Sequence, residues 1–283
     1  MTKNKKDLFK TFFEDYSKNV DNASSQFFWK LSDEIILRVL SKHFVSILSP
    51  NSIVLDAGGG TGRWIQVLSK LLPSKFVLLD KSVNMLNVAR QKKELQELGN
   101  RLEIIEGDIQ VMKNIKDASI DFLISIYSPI SFVENPQLFF GEVYRVLKPK
   151  GLAFIMGHSF TNAIASKINN YLADALELEN LDSEKMVKWS SSLAPLHVFS
   201  KESFKKLASD SKLKTLNTYG IPIFIQPGPE DFDPDNKLKS RVSSKLESDT
   251  GFYKTVLDLE MKYNSQESFV NRGMNLMIVA QKE

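Results

Sequence analysis

The sequence predicts an α/β domain built on a mostly parallel sheet flanked by helices, and three observations carry that prediction. From Ile53 onward, short apolar runs alternate with segments of helical periodicity. The first of those runs ends in a glycine-rich turn that opens a helix. The chain has 283 residues, 42% hydrophobic and 25% charged, which is enough to bury a full core and excludes disordered and fibrous classes.

Phe9, Phe12, Phe13 and Tyr16 stand at i, i+3, i+4 and i+7, the apolar stripe of an amphipathic helix. A longer helix is predicted from about Ser24 to Leu48, with Phe28, Leu31, Ile35, Val39 and Leu40 facing inward. Residues 1–48 thus form an amino-terminal helical cap, ahead of a sheet domain over residues 49–283. Strands are predicted at Ile53 to Asp56, Phe76 to Asp80, Leu102 to Ile105, Ile120 to Ile126 and Leu152 to Met156. Between them, one helix carries Trp64, Val67, Leu68 and Leu71 and is stopped by Pro73. A second starts at the capping Ser82, carries Met85, Leu86 and Ala89, and ends near Gly99. A third begins at Asn135-Pro136, a cap followed by proline at the first helical position.

A helical insertion over 159–198 is predicted after the fifth strand, with Phe160, Ile164, Ile168, Tyr171, Leu172 and Ala175 on one face and Met186, Trp189 and Leu193 on another. A helix at about Lys201 to Ser209 and a strand through Leu213 to Ile225 resume the alternation. A second insertion, 226–270, opens with Pro227-Gly228-Pro229 and reads as a linker with one or two surface helices, before a last strand at about Gly273 to Gln281.

Composition narrows the function. Lys plus Arg at 37 against Asp plus Glu at 34 leaves +3, too little for the broad basic field of non-specific nucleic-acid binding, so a small-molecule partner is expected. Lys3, Lys5 and Lys6 read as a solvated terminus. The absence of cysteine removes disulfides, thiolate catalysis and cysteine-based metal sites, and no metal is expected. No run approaches the roughly 18 apolar residues of a spanning helix, and the charged start lacks a signal-peptide core, so a cytoplasmic location is expected.

In Val54-Leu55-Asp56-Ala57-Gly58-Gly59-Gly60-Thr61-Gly62, a buried strand ends at an acid and four glycines in five positions open a helix. Such a turn admits a ligand close to the backbone, and a nucleotide-like cofactor is expected at the carboxyl edge of the sheet. The triphosphate-binding loop fails, because four residues beyond Gly58 stand Arg63-Trp64 where Gly-Lys is needed. The dinucleotide pattern fails as well, since Arg63 occupies the position of its third small residue.

Asp56, Gly58, Gly60 and Gly62 fit acid, any residue, Gly, any residue, Gly, any residue, Gly, which resembles the first motif of class I S-adenosylmethionine-dependent methyltransferases. The resemblance runs from about residue 50 to 157: Asp80 closes the second strand, Gly107-Asp108-Ile109 follows the third, Asp121-Phe122-Leu123-Ile124 starts the fourth, and Leu147-Lys148-Pro149-Lys150-Gly151 leads into the fifth. It implies a seven-stranded, mostly parallel sheet sandwiched by helices, with the final strand antiparallel. S-adenosylmethionine is the cofactor implied, with the glycine turn beneath it, Asp80 on the ribose hydroxyls, Asp108 near the adenine amine and Ile109 against the ring. Met85, one turn into the helix after Asp80, and Ser125, at the end of the fourth strand, join the candidate cofactor residues. Taken singly, Asp56 and Asp80 also read as caps, Asp108 as a turn residue and Met85 as core. An acid like Asp80 is shared with NAD enzymes, so the choice of cofactor rests on the other motifs.

Methyl transfer needs proximity and, for some acceptors, a base, and no catalytic residue announces itself. The stretch Ser125-Ile126-Tyr127-Ser128-Pro129-Ile130 lacks the Asp/Asn-Pro-Pro-aromatic motif of base-methylating enzymes. The layout with two insertions resembles the small-molecule branch of the class, so transfer to an oxygen, nitrogen or carbon atom of a small molecule is expected. An RNA methyltransferase, a non-catalytic cofactor-binding subunit and an NAD oxidoreductase are the rival readings. His158 and His197 are candidate bases, each also read as a capping or core histidine, with His158 first because strand ends face the ligand crevice, while Tyr127, also a candidate catalytic residue, and Tyr16 are candidate acceptor contacts. The acceptor and the oligomeric state are not legible.

Overall fold

The computed structural model describes residues 9, 12, 13, 17, 20–23, 25–44, 49–190, 193–232 and 238–283. Tyr16, the lysines at 3, 5 and 6, and the end of the cap helix at Leu48 lie outside the described residues.

The sheet is made of β1 (Ile53–Ala57), β2 (Lys75–Asp80), β3 (Leu102–Glu106), β4 (Ile120–Ser125), β5 (Leu147–Ser159), β8 (Leu213–Ile221) and β9 (Asn275–Lys282). Their spatial order is β3-β2-β1-β4-β5-β9-β8. The first five pair in parallel, and β9 runs antiparallel to both β5 and β8. The expected seven-stranded sheet with an antiparallel last strand is thus observed. Two further strands, β6 (Met186–Val187) and β7 (Leu196–Phe199), form a short hairpin that extends the far end of β5 through His158 and Ser159.

Both faces of the sheet are buried, as parallel strands require. On one face, Val54, Phe76, Leu78, Phe122, Ile124 and Phe154 pack under α2 (Phe27–Phe44), α3 (Arg63–Leu68), α4 (Val83–Gln91), the short α5 (Lys93–Gln96), α10 (Arg241–Ser248) and α11 (Thr250–Tyr263). On the other, Leu55, Val77, Leu79, Leu123 and Ile155 pack under α6 (Pro136–Val146) and α9 (Lys201–Asp210). Local chemistry sets where helices start. The Ser82 hydroxyl accepts the Met85 N–H, Asn135 caps α6 with Pro136 next to it, and Ser200 and Ser203 form a reciprocal capping box.

The short α1 (Val20–Ala23) and the long α2 precede the sheet. Phe28, Leu31, Ile35, Ile36, Val39 and Leu40 of α2 are all fully buried, so this helix is part of the main core. Fully burying each large apolar side chain stabilises by about 1.5–3 kcal/mol, so α2 cannot detach without global loss of the fold.

The first insertion departs from the sequence prediction. Helix α7 (Phe160–Asn169) stops before Tyr171 and Leu172, because Leu172 turns into the left-handed region at φ 48° and its side chain is 83% exposed. A second helix, α8 (Ala175–Glu184), follows, and the segment with Met186, Trp189 and Leu193 is the hairpin side of the insertion rather than a helical face. Its apolar residues share a satellite core with Phe9, Phe12, Phe13 and Phe132, so the start of the chain packs on this insertion. The second insertion holds α10, α11 and the four-residue α12 (Glu267–Val270), and Leu246 and Leu257 pack α10 and α11 into the main core, where surface helices were expected. Among the described residues, no helix is long and apolar enough to cross a membrane.

Candidate active site

The carboxyl edge of the sheet brings the candidate cofactor residues together. Gly58, Gly60 and Gly62 adopt positive φ of 75°, 56° and 72°, as the turn out of β1 demands. Their roles differ. A Cβ on Gly58 would stand 2.6 Å from Pro129, one on Gly59 would meet the Asp56 carboxyl at 2.4 Å, and one on Gly62 would meet Leu95 at 2.7 Å. Those three glycines are required by the protein's own packing. Gly60 alone faces open space, with Met85 Sδ at 3.7 Å as its nearest neighbour, and is the point where a ligand can approach the backbone.

Asp80 is anchored beside that opening. Its Oδ2 accepts the Gly60 N–H at 2.9 Å and its Oδ1 accepts the Ser82 N–H at 2.8 Å. Each oxygen keeps a second lone pair, so the carboxylate can still accept from a pair of hydroxyls. Burial raises the Asp80 pKa above the ordinary carboxylate value, partly offset by the backbone N–H groups of Ser82 and Gly60. Asp108 is held in a local turn by the Gln110 N–H at 2.9 Å, with Lys81 Nζ at 3.6 Å, and buried Ile109 reaches to Gly58.

Asp56 lies under the turn, 1% exposed, and its Oδ2 has no hydrogen-bond partner. Burial first, and the nearby Asp80 second, push its pKa up to about 8, so it is a neutral acid at pH 7. An open Gly60 and a half-satisfied Asp80 are what a polar ligand at this edge would complete, so these residues fit an adenosine cofactor. The Ser125 hydroxyl is committed to the Ala57 carbonyl at 2.8 Å and ties the ends of β4 and β1 together.

The acceptor candidates are dispersed. His158 sits at the end of β5, where its Nδ1 is 3.1 Å from Asn275 Oδ1, an oxygen that also accepts the Ser128 hydroxyl at 2.9 Å. Burial lowers the His158 pKa to about 4, so the ring is neutral. His197 lies on β7 with Nε2 3.4 Å from the Glu134 carbonyl, part of the insertion's hairpin. Tyr127 is at the site, delivered by two consecutive left-handed residues, Tyr127 at φ 60° and Ser128 at φ 69°.

The residues unforeseen from sequence gather around Tyr127. Its hydroxyl donates to Asp33 of α2, and Arg63, the first residue of α3, donates to the same carboxylate at 2.5 and 2.8 Å. Trp29 packs edge-on against Tyr127 at 5.5 Å and donates its Nε1–H to the Asp231 carbonyl at 2.6 Å. A second link joins Asp21 of α1 to the Thr61 hydroxyl of the glycine turn at 2.8 Å and to Lys92 Nζ at 2.7 Å. Asp33 and Asp21 carry no sequence signal beyond being acids on predicted or unpredicted helices. Arg63 had one, its place directly after the last glycine. A groove of about 940 Å³ starts at Asp33 and Trp64 and continues along α2 past Leu37 and Val67 to Met261. Among the described residues no cluster of three metal-ligating side chains occurs.

Residues 54–151 match the family described as methyltransferase domain. The 2-methyl-6-phytyl-1,4-hydroquinone methyltransferase of Spinacia oleracea is 36% identical over 108 residues, covering 38% of this chain and 30% of that protein. The chain therefore matches under a third of that relative's length. The tRNA 5-carboxymethoxyuridine methyltransferase of Escherichia coli K12 is 21% identical over 269 residues, covering 95% of this chain and 94% of that one. Among solved structures, geranyl diphosphate C-methyltransferase from Streptomyces coelicolor superposes with a TM-score of 0.55 at 12% identity, covering 89% and 79% of the two chains. That likeness shows the fold alone. The class I methyltransferase resemblance read from the glycine turn and the motifs after it is borne out by domain match and by fold.

Proposed function

We propose that this chain is an S-adenosylmethionine-dependent methyltransferase acting on a small molecule. The observation that carries the reading is the carboxyl edge itself: an open Gly60 beside an anchored Asp80 with spare acceptor capacity, in a domain matched as a methyltransferase. Asp80 would hold the ribose hydroxyls, Ile109 and Met85 would flank the adenosine, and Asp108 would accept from the adenine amine. When bound, the cofactor supplies an electrophilic methyl group on a sulfonium. The protein's part is to fix the acceptor close to that group and to exclude water.

Two features favour a small acceptor. The whole chain carries only +3, too little for the broad basic field that holds a polyanion. The satellite core that joins Phe9, Phe12 and Phe13 to the 159–198 insertion includes Phe132, which lies beside His158 at the end of β5, so these segments are placed to cover an acceptor. His158, held neutral because burial depresses its pKa, is a weak proton acceptor.

The second reading, an RNA acceptor, is favoured by one observation: the similarity to the tRNA methyltransferase spans 95% of this chain. Titration calorimetry with S-adenosylhomocysteine tests the cofactor. Incubation with S-[methyl-³H]-adenosylmethionine and either a hydroquinone and amine panel or unmodified tRNA tests the acceptor. Label in tRNA and in none of the small molecules would overturn the small-molecule reading.

A further inference from the structure

His158 and Asn275 are direct partners across the antiparallel pair β5–β9. Phe154 and Met156 precede His158 at two-residue steps, and Met277 and Val279 follow Asn275 in the same way. All four belong to the core beneath α2, so both polar side chains project on that face of the sheet. Tyr127 packs against the same core. A chain of contacts joins the pair to the glycine turn. Pro129 is the residue that a Cβ on Gly58 would strike at 2.6 Å, and the neighbouring Ser128 donates its hydroxyl to Asn275 Oδ1 at 2.9 Å. His158 Nδ1 stands 3.1 Å from that same oxygen.

Asn275 is a buried polar residue at the head of a strand that continues Leu-Met-Ile-Val-Ala, a costly choice unless its amide is hydrogen-bonded. Its oxygen is spent on Ser128 and His158. An amide oxygen only accepts, so the His158 Nδ1 that faces it carries the ring's proton. Burial holds the ring neutral at pH 7, which leaves Nε2 with a bare lone pair. Among the described residues no hydrogen bond reaches Nε2, and His158 is half-buried rather than sealed. Phe132, 6.2 Å from the imidazole, belongs to the satellite core over this end of β5.

We propose that Asn275, braced by Ser128, is a positioning residue that locks His158 in the Nδ1–H tautomer and presents the bare Nε2 as a fixed hydrogen-bond acceptor for an O–H or N–H of the methyl acceptor. This rests on the small-molecule reading given above and narrows it to protic acceptors such as phenols and amines. A site built to bond a hydrogen discriminates strongly against an analogue that lacks it, because its own polar group is then left unpaired. Asn275 lies outside the matched domain, 117 residues beyond the histidine it orients.

Imidazole nitrogen NMR reads the tautomer directly, and with three histidines in the chain the His158→Gln spectrum identifies the His158 signals by their loss. At pH 7 the wild-type chain should show His158 protonated at Nδ1 and bare at Nε2. Asn275→Asp keeps an acceptor oxygen and should retain that pattern. Asn275→Leu removes it and should lose the single tautomer, while the Kd for S-adenosylhomocysteine stays within about twofold of wild type by calorimetry. With S-adenosylhomocysteine present, hydroquinone should shift the Nε2 signal, and 1,4-dimethoxybenzene, the same ring without donors, should leave it in place. A wild-type His158 protonated at Nε2 overturns the lock without recourse to any variant, and an Asn275→Leu spectrum identical to wild type overturns it as well. Equal shifts by both probes, or a shift by neither, overturn the acceptor contact. A chain that shows the locked tautomer and binds no S-adenosylhomocysteine overturns the proposed function, and with it the acceptor contact, and leaves the lock standing.

Discussion

Replacing Asp80 by alanine perturbs two things, and the structure separates them. The side chain accepts the Gly60 N–H at 2.9 Å and the Ser82 N–H at 2.8 Å, so the variant loses two hydrogen bonds of the folded chain. Both residues are half-buried, so water can replace the lost acceptor, and the cost to stability is about 1–3 kcal/mol in total. The loss in ligand binding is a separate quantity. A charge-assisted contact to a ribose diol is worth about 1.5–3 kcal/mol, which corresponds to roughly a 10- to 150-fold rise in the Kd for S-adenosylhomocysteine. Asp80→Asn should fall between, since the amide keeps one acceptor oxygen and turns a donor toward Gly60 or Ser82. Calorimetry gives the Kd and urea unfolding gives the stability. If Asp80→Ala loses stability yet binds S-adenosylhomocysteine within about twofold of wild type, the carboxylate serves only the turn and the ribose assignment is wrong.

Asp56 makes a prediction about pH. Its folded-state pKa of about 8 lies above the ordinary value, so between that ordinary value and 8 the unfolded chain releases a proton that the folded chain keeps. Stability contributed by this group is complete at acidic pH and is lost as pH rises to about 8, by about 1.4 kcal/mol per pH unit at most. Asp56→Asn should flatten that slope in urea unfolding between pH 5 and 8, and parallel curves for the two proteins would show that Asp56 ionises normally. For His158 the sign is opposite. A pKa lowered to about 4 means that stability is lost as pH falls from the ordinary histidine range toward 4, and His158→Gln should remove that loss. In turnover, His158→Gln should stay within about tenfold of wild-type kcat; a loss of about 10²- to 10⁴-fold, with disappearance of an acidic limb, would make it the base. Deletion of residues 1–20 removes Phe9, Phe12 and Phe13 from the satellite core and leaves α2 in place, so acceptor turnover should fall while S-adenosylhomocysteine binding holds. Equal loss of both would make that segment purely structural.

Much of the fold was legible because its signals are local. Strands buried on both faces read as continuous apolar runs, and Ser82 and Asn135 mark helix starts by side-chain chemistry that needs no tertiary context. The hairpin at Met186–Val187 and Leu196–Phe199 was not legible, since Met186, Trp189 and Leu193 fall at i, i+3 and i+7, a helical spacing, while a two-residue strand is too short to show alternation. Half of the candidate site was legible in the same way. The glycine turn, Asp80 and Ile109 are consecutive with strand ends, whereas Asp33 reaches Tyr127 across 94 residues of chain and only the packing of α2 brings them together. The glycines themselves were read as room for a ligand, and three of the four prove to be room for Pro129, Asp56 and Leu95. Ser125, next to the site in sequence, turns its hydroxyl to Ala57 because the ends of β1 and β4 must be tied there.

The measurement that bears most directly on the central claim is calorimetric titration of the full chain with S-adenosylhomocysteine and, separately, with NADH. The open Gly60 and the anchored Asp80 predict saturable binding of S-adenosylhomocysteine at one site per chain, lost in large part in Asp80→Ala, and no heat from NADH. Saturable binding of NADH with none of S-adenosylhomocysteine would contradict the account.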